Sequence, residues 1–147
     1  MGREYVGIGM KYTIVDKGDY LRADLLERER AEETEEFLEA IRQAGQQFPR
    51  TRLLICVHPA RAFFRIEKYN ASRFLQELAE RPTVRVALVS RHFEVRVLHQ
   101  YVEALARLKR ANLRSFGDEP SALRWLMEPQ PLFNEASSAE NARQSRT

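Results

Sequence analysis

Three short strand-like runs lie in the middle of the chain, and each is followed by a helical pattern. They are Leu53-Leu54-Ile55-Cys56-Val57, Val84-Arg85-Val86-Ala87-Leu88-Val89 and Asn112-Leu113-Arg114-Ser115-Phe116. The first two are nearly continuous in apolar residues, as a strand must be when both of its faces are covered. Alternation of such strands with helices demands a sheet whose core is parallel. At 147 residues the chain suits one domain around one core.

The stretch before these runs reads differently. Tyr12-Thr13-Ile14-Val15-Asp16 is rich in β-branched and aromatic residues, and Lys17-Gly18-Asp19 is a turn signal. In Tyr20 to Leu25, the residues Leu21, Ala23 and Leu25 alternate with Tyr20, Arg22 and Asp24. This predicts an antiparallel hairpin with one covered face. Val6, Ile8 and Met10 continue an alternating pattern, so the first strand extends back toward Tyr5.

Four helices are expected. From about Arg30, the residues Thr34, Phe37, Leu38, Ile41 and Ala44 share one helical face, and Gly45 reads as its terminator. Ala71, Phe74, Leu75 and Leu78 mark a second helix. Leu98, Tyr101, Val102, Leu105 and Leu108 mark a third and longest one, ending near Lys109-Arg110. His99 falls near its buried face. Asp118 is a natural N-cap for a short last helix, with Pro120 in its first turn and Ala122, Trp125 and Leu126 as its buried stripe. Pro129 and Pro131 then stop regular structure. The expected fold is therefore a single α/β domain over residues 1–127, with a mixed sheet of about five strands, a parallel core, an opening β-hairpin and about four helices. Residues 128–147 form a polar tail with little to bury, expected to be disordered.

This order of elements resembles the SpoIIAA-like family, a branch of the STAS superfamily. The segments that carry the likeness are Gly18-Asp19-Tyr20-Leu21 leading to a Glu-rich helix, Arg52-Leu53-Leu54-Ile55, Arg85-Val86-Ala87-Leu88-Val89, and Phe116-Gly117-Asp118-Glu119-Pro120-Ser121-Ala122-Leu123-Arg124-Trp125-Leu126. Together they span roughly residues 11–127. The resemblance implies a small non-catalytic module. The best-known members bind a partner kinase and are switched by phosphorylation of a serine at the mouth of a central strand. The corresponding segment here, Val57-His58-Pro59-Ala60-Arg61-Ala62-Phe63-Phe64, holds no serine, threonine or aspartate, so the switch does not carry over. The SpoIIAA-like group is also similar to lipid-binding domains of the Sec14 type, which implies an apolar pocket as another use.

Ligand sites in open α/β sheets lie beyond the carboxyl ends of the parallel strands. That rule singles out His58 to Phe64, then Ser90-Arg91-His92-Phe93, then Phe116-Gly117-Asp118. His58 and His92 are the residue type for acid–base work or for the start of a metal site. Neither has a Cys or His partner at metal-ligand spacing, and no carboxylate lies beside either in the local segment, so both read first as polar strand ends. Ser90 and Arg91 at a helix start suit an anion, with Arg61 contributing from the next loop; the simpler reading of Ser90 is a helix cap. Phe63, Phe64 and Ile66, flanked by Arg61 and Arg65, are either an exposed contact or a cap on the core.

Several classes are disfavoured. The net charge of +3 is too small and too evenly spread to argue for nucleic acid, despite a pI near 9.2. Cys56, the single cysteine, lies in an apolar strand and reads as a small buried hydrophobe. Gly7-Ile8-Gly9 lacks the third glycine of a dinucleotide loop, and no phosphate-loop, nucleophile-elbow or HExxH motif occurs. No cofactor or metal is implied, no segment is apolar for long enough to span a membrane, and a cytoplasmic location is the default expectation. The expected function is a regulatory or scaffolding module that binds a protein partner or forms a homodimer. The alternative is a carrier or sensor of a small apolar ligand or lipid, held near the 58–66 loop.

Overall fold

The computed structural model describes residues 4–8, 12–26, 31–47, 50–58 and 68–129. Its strands are β1 (Glu4–Ile8), β2 (Tyr12–Asp16), β3 (Leu21–Leu25), β4 (Arg52–Val57), β5 (Arg85–Val89) and β6 (Leu113–Phe116). Its helices are α1 (Ala31–Gln47), α2 (Lys68–Ala79), α3 (Phe93–Lys109) and α4 (Glu119–Met127). The strands form one six-stranded mixed sheet in the unbroken order β1-β2-β3-β4-β5-β6. The first two pairings are antiparallel and the last three parallel. The expected α/β fold with a parallel core and an opening hairpin is the fold observed.

The hairpin forms where its turn chemistry sits. Gly18 takes a positive φ of 92°, a conformation that costs glycine nothing and other residues strain. Asp16 Oδ1 accepts from Gly18 N–H at 3.0 Å, and Lys17 N–H donates to the Tyr20 carbonyl at 2.9 Å. One strand more is present than the pattern suggested. The alternation from Tyr5 onward is not an early start to the hairpin strand; Glu4–Ile8 is a separate strand that folds back antiparallel onto β2, with a register shift between Tyr5 and Gly7. Period-two alternation looks the same for one long strand and for two short ones, so the sequence alone cannot separate them.

An unbroken strand order has a consequence for layering. Successive crossovers of the usual right hand place their helices on the same face of the sheet. Accordingly Phe37, Ile41 and Ala44 of α1, Leu75 and Leu78 of α2 and Ala106 of α3 share one core with Ile14, Leu21, Ala23, Leu25, Leu53, Ile55, Val86, Leu88 and Leu113. Tyr12 and Phe37 meet in that core with ring centroids 5.9 Å apart. On the other face α4 is the one helix among the described residues. There Leu54, Cys56, Ala87 and Val89 pack against Ala122 and Leu126, with Phe116 and Trp125 at the margin. Alternate residues of β4 and β5 thus point into two separate cores, which is why those runs are continuously apolar.

Local chemistry explains the ends of the helices. Asp118 caps α4 as its sequence suggested, its Oδ1 accepting from Ser121 N–H at 2.8 Å. α3 ends on Arg110, which adopts the left-handed conformation (φ 60°) and returns its N–H to the carbonyls of Ala106 and Arg107. Two expectations need correction. Gly45 does not end α1, which runs two residues further to Gln47. A Cβ at Gly45 would meet nothing within 4 Å, so its glycine is a tolerated residue inside a helix whose other contacts hold it. In α3 the stripe that the apolar spacing marked is only partly inward: Val102 and Leu105 pack against the core and Leu98 is half-buried. Val95, His99 and Ala106 are buried, whereas Tyr101 and Leu108 are exposed, at 38% and 82%. The helix is apolar on two sides, and the periodic pattern averaged over both.

Candidate functional site

The carboxyl ends of the parallel strands gather on one edge of the sheet. Cys56 on β4 is in register with Val89 on β5, and Val89 with Phe116 on β6. His58 and the Ser90–His92 segment therefore leave neighbouring strands at the same edge. Arg61, Phe63 and Phe64, and the rest of the loop that follows His58, lie outside the described residues.

A chain of polar groups runs across this edge on the α4 face. Arg22 of β3 donates to both oxygens of Glu119, from NH1 at 2.9 Å and NH2 at 2.6 Å. Its Nε donates to Asp24 Oδ2 at 3.0 Å. Asp24 Oδ1 in turn lies 3.0 Å from His58 Nε2. The Cys56 thiol points at Glu119 Oε1 across 3.8 Å. This network joins β3, β4 and the first turn of α4, at the place where α4 stops covering the sheet. Two parallel N–H···O contacts of a guanidinium on one carboxylate are the strongest geometry available to such a pair.

The electrostatics follow from the contacts. The hydrogen bonds that Arg22 donates hold the Glu119 carboxyl below its ordinary value, and the same bonds raise the Arg22 guanidinium above its own. Burial pushes the Cys56 thiol up to about 12, so the thiolate that a nucleophile or metal ligand requires is not populated near neutrality. Burial also raises Tyr20, which lies beside the network. Chemically this is a cross-brace, with one half-exposed imidazole, His58, held on a carboxylate at its solvent end.

His58 and His92 are not drawn together. β3 flanks β4 on the side away from β5, so the bond to Asp24 directs the His58 ring away from Ser90–His92. Ser90 continues the alternation of Val86 and Leu88 onto the three-helix face and is 3% exposed. Its Oγ accepts from His92 N–H at 3.1 Å. The serine thus closes a two-residue turn ahead of α3. The N-cap position is His92, whose side chain makes no capping bond. Arg91 is exposed and close enough to Asp118 and Glu119 to favour their charged forms. Arg96 of α3 lies over Gly117, where a Cβ would come within 3.1 Å of its guanidinium carbon. Among the described residues no group of three or more His, Cys, Asp and Glu could hold a metal, and no helix is long and apolar enough to cross a membrane.

Sequence reasoning missed Arg22, Asp24 and Glu119. The signal was partly there, because the β3 alternation sets Arg22 and Asp24 opposite the core residues Leu21, Ala23 and Leu25. What was absent was the face onto which α4 would fold, and so the partner awaiting Arg22.

Two other surface features stand out. Between α1 and α2 lies a cavity of about 250 Å³, floored by Leu38 and Phe74 and rimmed by Glu35, Glu39, Glu77, Arg42 and Arg73. It falls below the roughly 300–1,000 Å³ usual for small-molecule pockets, and its rim is charged. The second feature is the outward side of α3, where Phe93 (77% exposed), Val97 (49%), Tyr101 and Leu108 stand in line.

Compared with protein-family models, curated proteins and solved structures, the chain matches none. Its class is set by its own architecture: a single α/β domain with a sequentially ordered mixed sheet, three helices on one face and one on the other.

Proposed function

We propose that the protein is a non-catalytic regulatory or scaffolding module that binds a protein partner or itself, without a phospho-switch. One observation carries the reading: the outward face of α3 presents Phe93, Val97, Tyr101 and Leu108 to solvent on a helix whose inward face is already buried. Isolated exposed apolar residues are ordinary, but an aligned set of four on one helix is a contact surface in search of a partner. The SpoIIAA-like resemblance of the segments quoted above points the same way, as does the polar network at the strand ends. That network joins a high-pKa thiol to a structural ion pair and offers no activated nucleophile.

The test compares wild type with Val97→Lys. Association with itself or with a protein from the source cell, lost in the variant, is the expected result. A wild-type chain that associates with nothing, or whose associations ignore the substitution, overturns the reading.

A further inference from the structure

We propose that two copies of this chain pair antiparallel through the outward faces of α3, about a two-fold axis passing between Gln100 and Tyr101. The inference rests on the interaction-module reading and names its partner.

The first argument is symmetry. Phe93, Val97, Tyr101, Ala104 and Leu108 recur at spacings of four, four, three and four, and all five are exposed. At 100° per residue the run drifts by only about 60° around the helix, so it stays on one side for about 22 Å. An isologous contact sets each position against its mirror image in the copy. Reflection about the midpoint between residues 100 and 101 sends Phe93 onto Leu108 and Val97 onto Ala104. Four of the five stripe positions therefore pair with one another, with the small Ala104 set against Val97 to let the helices approach. The mirror of Tyr101 is Gln100, which is uncharged.

The second argument is area. With aromatic and large aliphatic side chains exposing of the order of 150–250 Å² when free, the observed exposures leave roughly 450 Å² of apolar surface per copy. Two copies bury at most about 900 Å² from the stripe itself, so the ~1,000 Å² that a specific interface must clear is reached with the residues flanking it. The third is anatomy. The centre of the stripe carries no charge, while Glu94, Arg96 and Arg107 lie along its margins. An apolar centre with a charged rim is the composition of an interface core.

The experiment combines sedimentation with cross-linking. At ~100 µM (a loading chosen to favour association), wild type sediments at twice the chain's 17.2 kDa and Val97→Lys as a monomer. Under mild oxidation, Val97→Cys chains mixed with Ala104→Cys chains form a cross-linked pair, and neither variant cross-links alone. A wild-type monomer overturns the proposal, and so does a dimer unmoved by Val97→Lys. Cross-linking of each variant with itself overturns the antiparallel geometry. A monomer that captures a different protein in a Val97-dependent manner sinks self-pairing yet leaves the interaction module standing; a monomer with no such capture sinks both.

Discussion

Arg22 on β3 and Glu119 in the first turn of α4 are 97 positions apart in sequence and meet through two hydrogen bonds of 2.9 and 2.6 Å. Among the described residues α4 is the lone helix on its face of the sheet, and this contact ties it to β3.

Removing Arg22 leaves Asp24 and Glu119 facing each other without the cation between them. Arg22→Ala is expected to lower stability by about 2 kcal/mol, and Arg22→Lys by nearly as much, because a lysine cannot make the two-pronged contact. Glu119 has a folded-state pKa below its unfolded value. Its contribution is therefore complete above the ordinary glutamate range and is lost as pH falls through the depressed value. Glu119→Gln should flatten that acid limb, as chemical denaturation from pH 6 to 3 will show.

His99 is 5% exposed, and burial lowers its pKa to about 4 from an ordinary 6.5. Its Nδ1 has no hydrogen-bond partner among the described residues. Because the unfolded chain takes up this proton first, stability is full above about pH 6.5 and declines as pH falls toward 4, by roughly 3 kcal/mol in all. His99→Leu removes that decline and is neutral or stabilising at pH 7, since the unsatisfied nitrogen goes with it. Denaturant midpoints of the two proteins at pH 7 and pH 4.5 check both statements.

Cys56 is expected to be inert in the native state. A thiol titrating near 12 and 4% exposed reacts with a disulfide reagent only when the chain opens. The native protein should label roughly a hundredfold more slowly than the chain in denaturant. Rapid native labelling would show that the α4 face opens freely.

The turn at Gly18 gives a local test. Its φ of 92° is one that L side chains rarely adopt, although the space around it is empty. Gly18→Ala should cost about 1 kcal/mol through backbone strain alone, read as a shift in the denaturant midpoint with an unchanged slope.

Much of the fold was legible because its signals are local. The two-sided burial of β4 and β5 is written in Leu53–Val57 and Val84–Val89, the hairpin in Lys17-Gly18-Asp19, and the α4 cap in Asp118. The inaccessible parts depend on long-range choices. Glu4–Ile8 became a sixth strand because the chain reverses between Ile8 and Tyr12, which alternation does not report. The Arg22–Glu119 contact needed the face of α4. The orientation of α3 needed a decision between two apolar stripes, and the larger side chains of Tyr101 and Leu108 pointed to the outer one while Val95 and Ala106 took the core. At the candidate site, His58, Ser90, Arg91 and His92 were placed at the correct edge by topology alone. The bonding partner of His58, Asp24, comes from a strand the local sequence does not mention.

α3 is apolar on two sides, and only one of them holds the domain together. Thermal melts of Val95→Lys and Val97→Lys, taken at submicromolar concentration so that association does not contribute, test it most directly. The account predicts that a charge at the fully buried Val95 abolishes cooperative unfolding, whereas the same charge at Val97 leaves Tm within about 2 °C of wild type. Equal losses at the two positions would contradict it, because the outer stripe would then be covered by the chain itself.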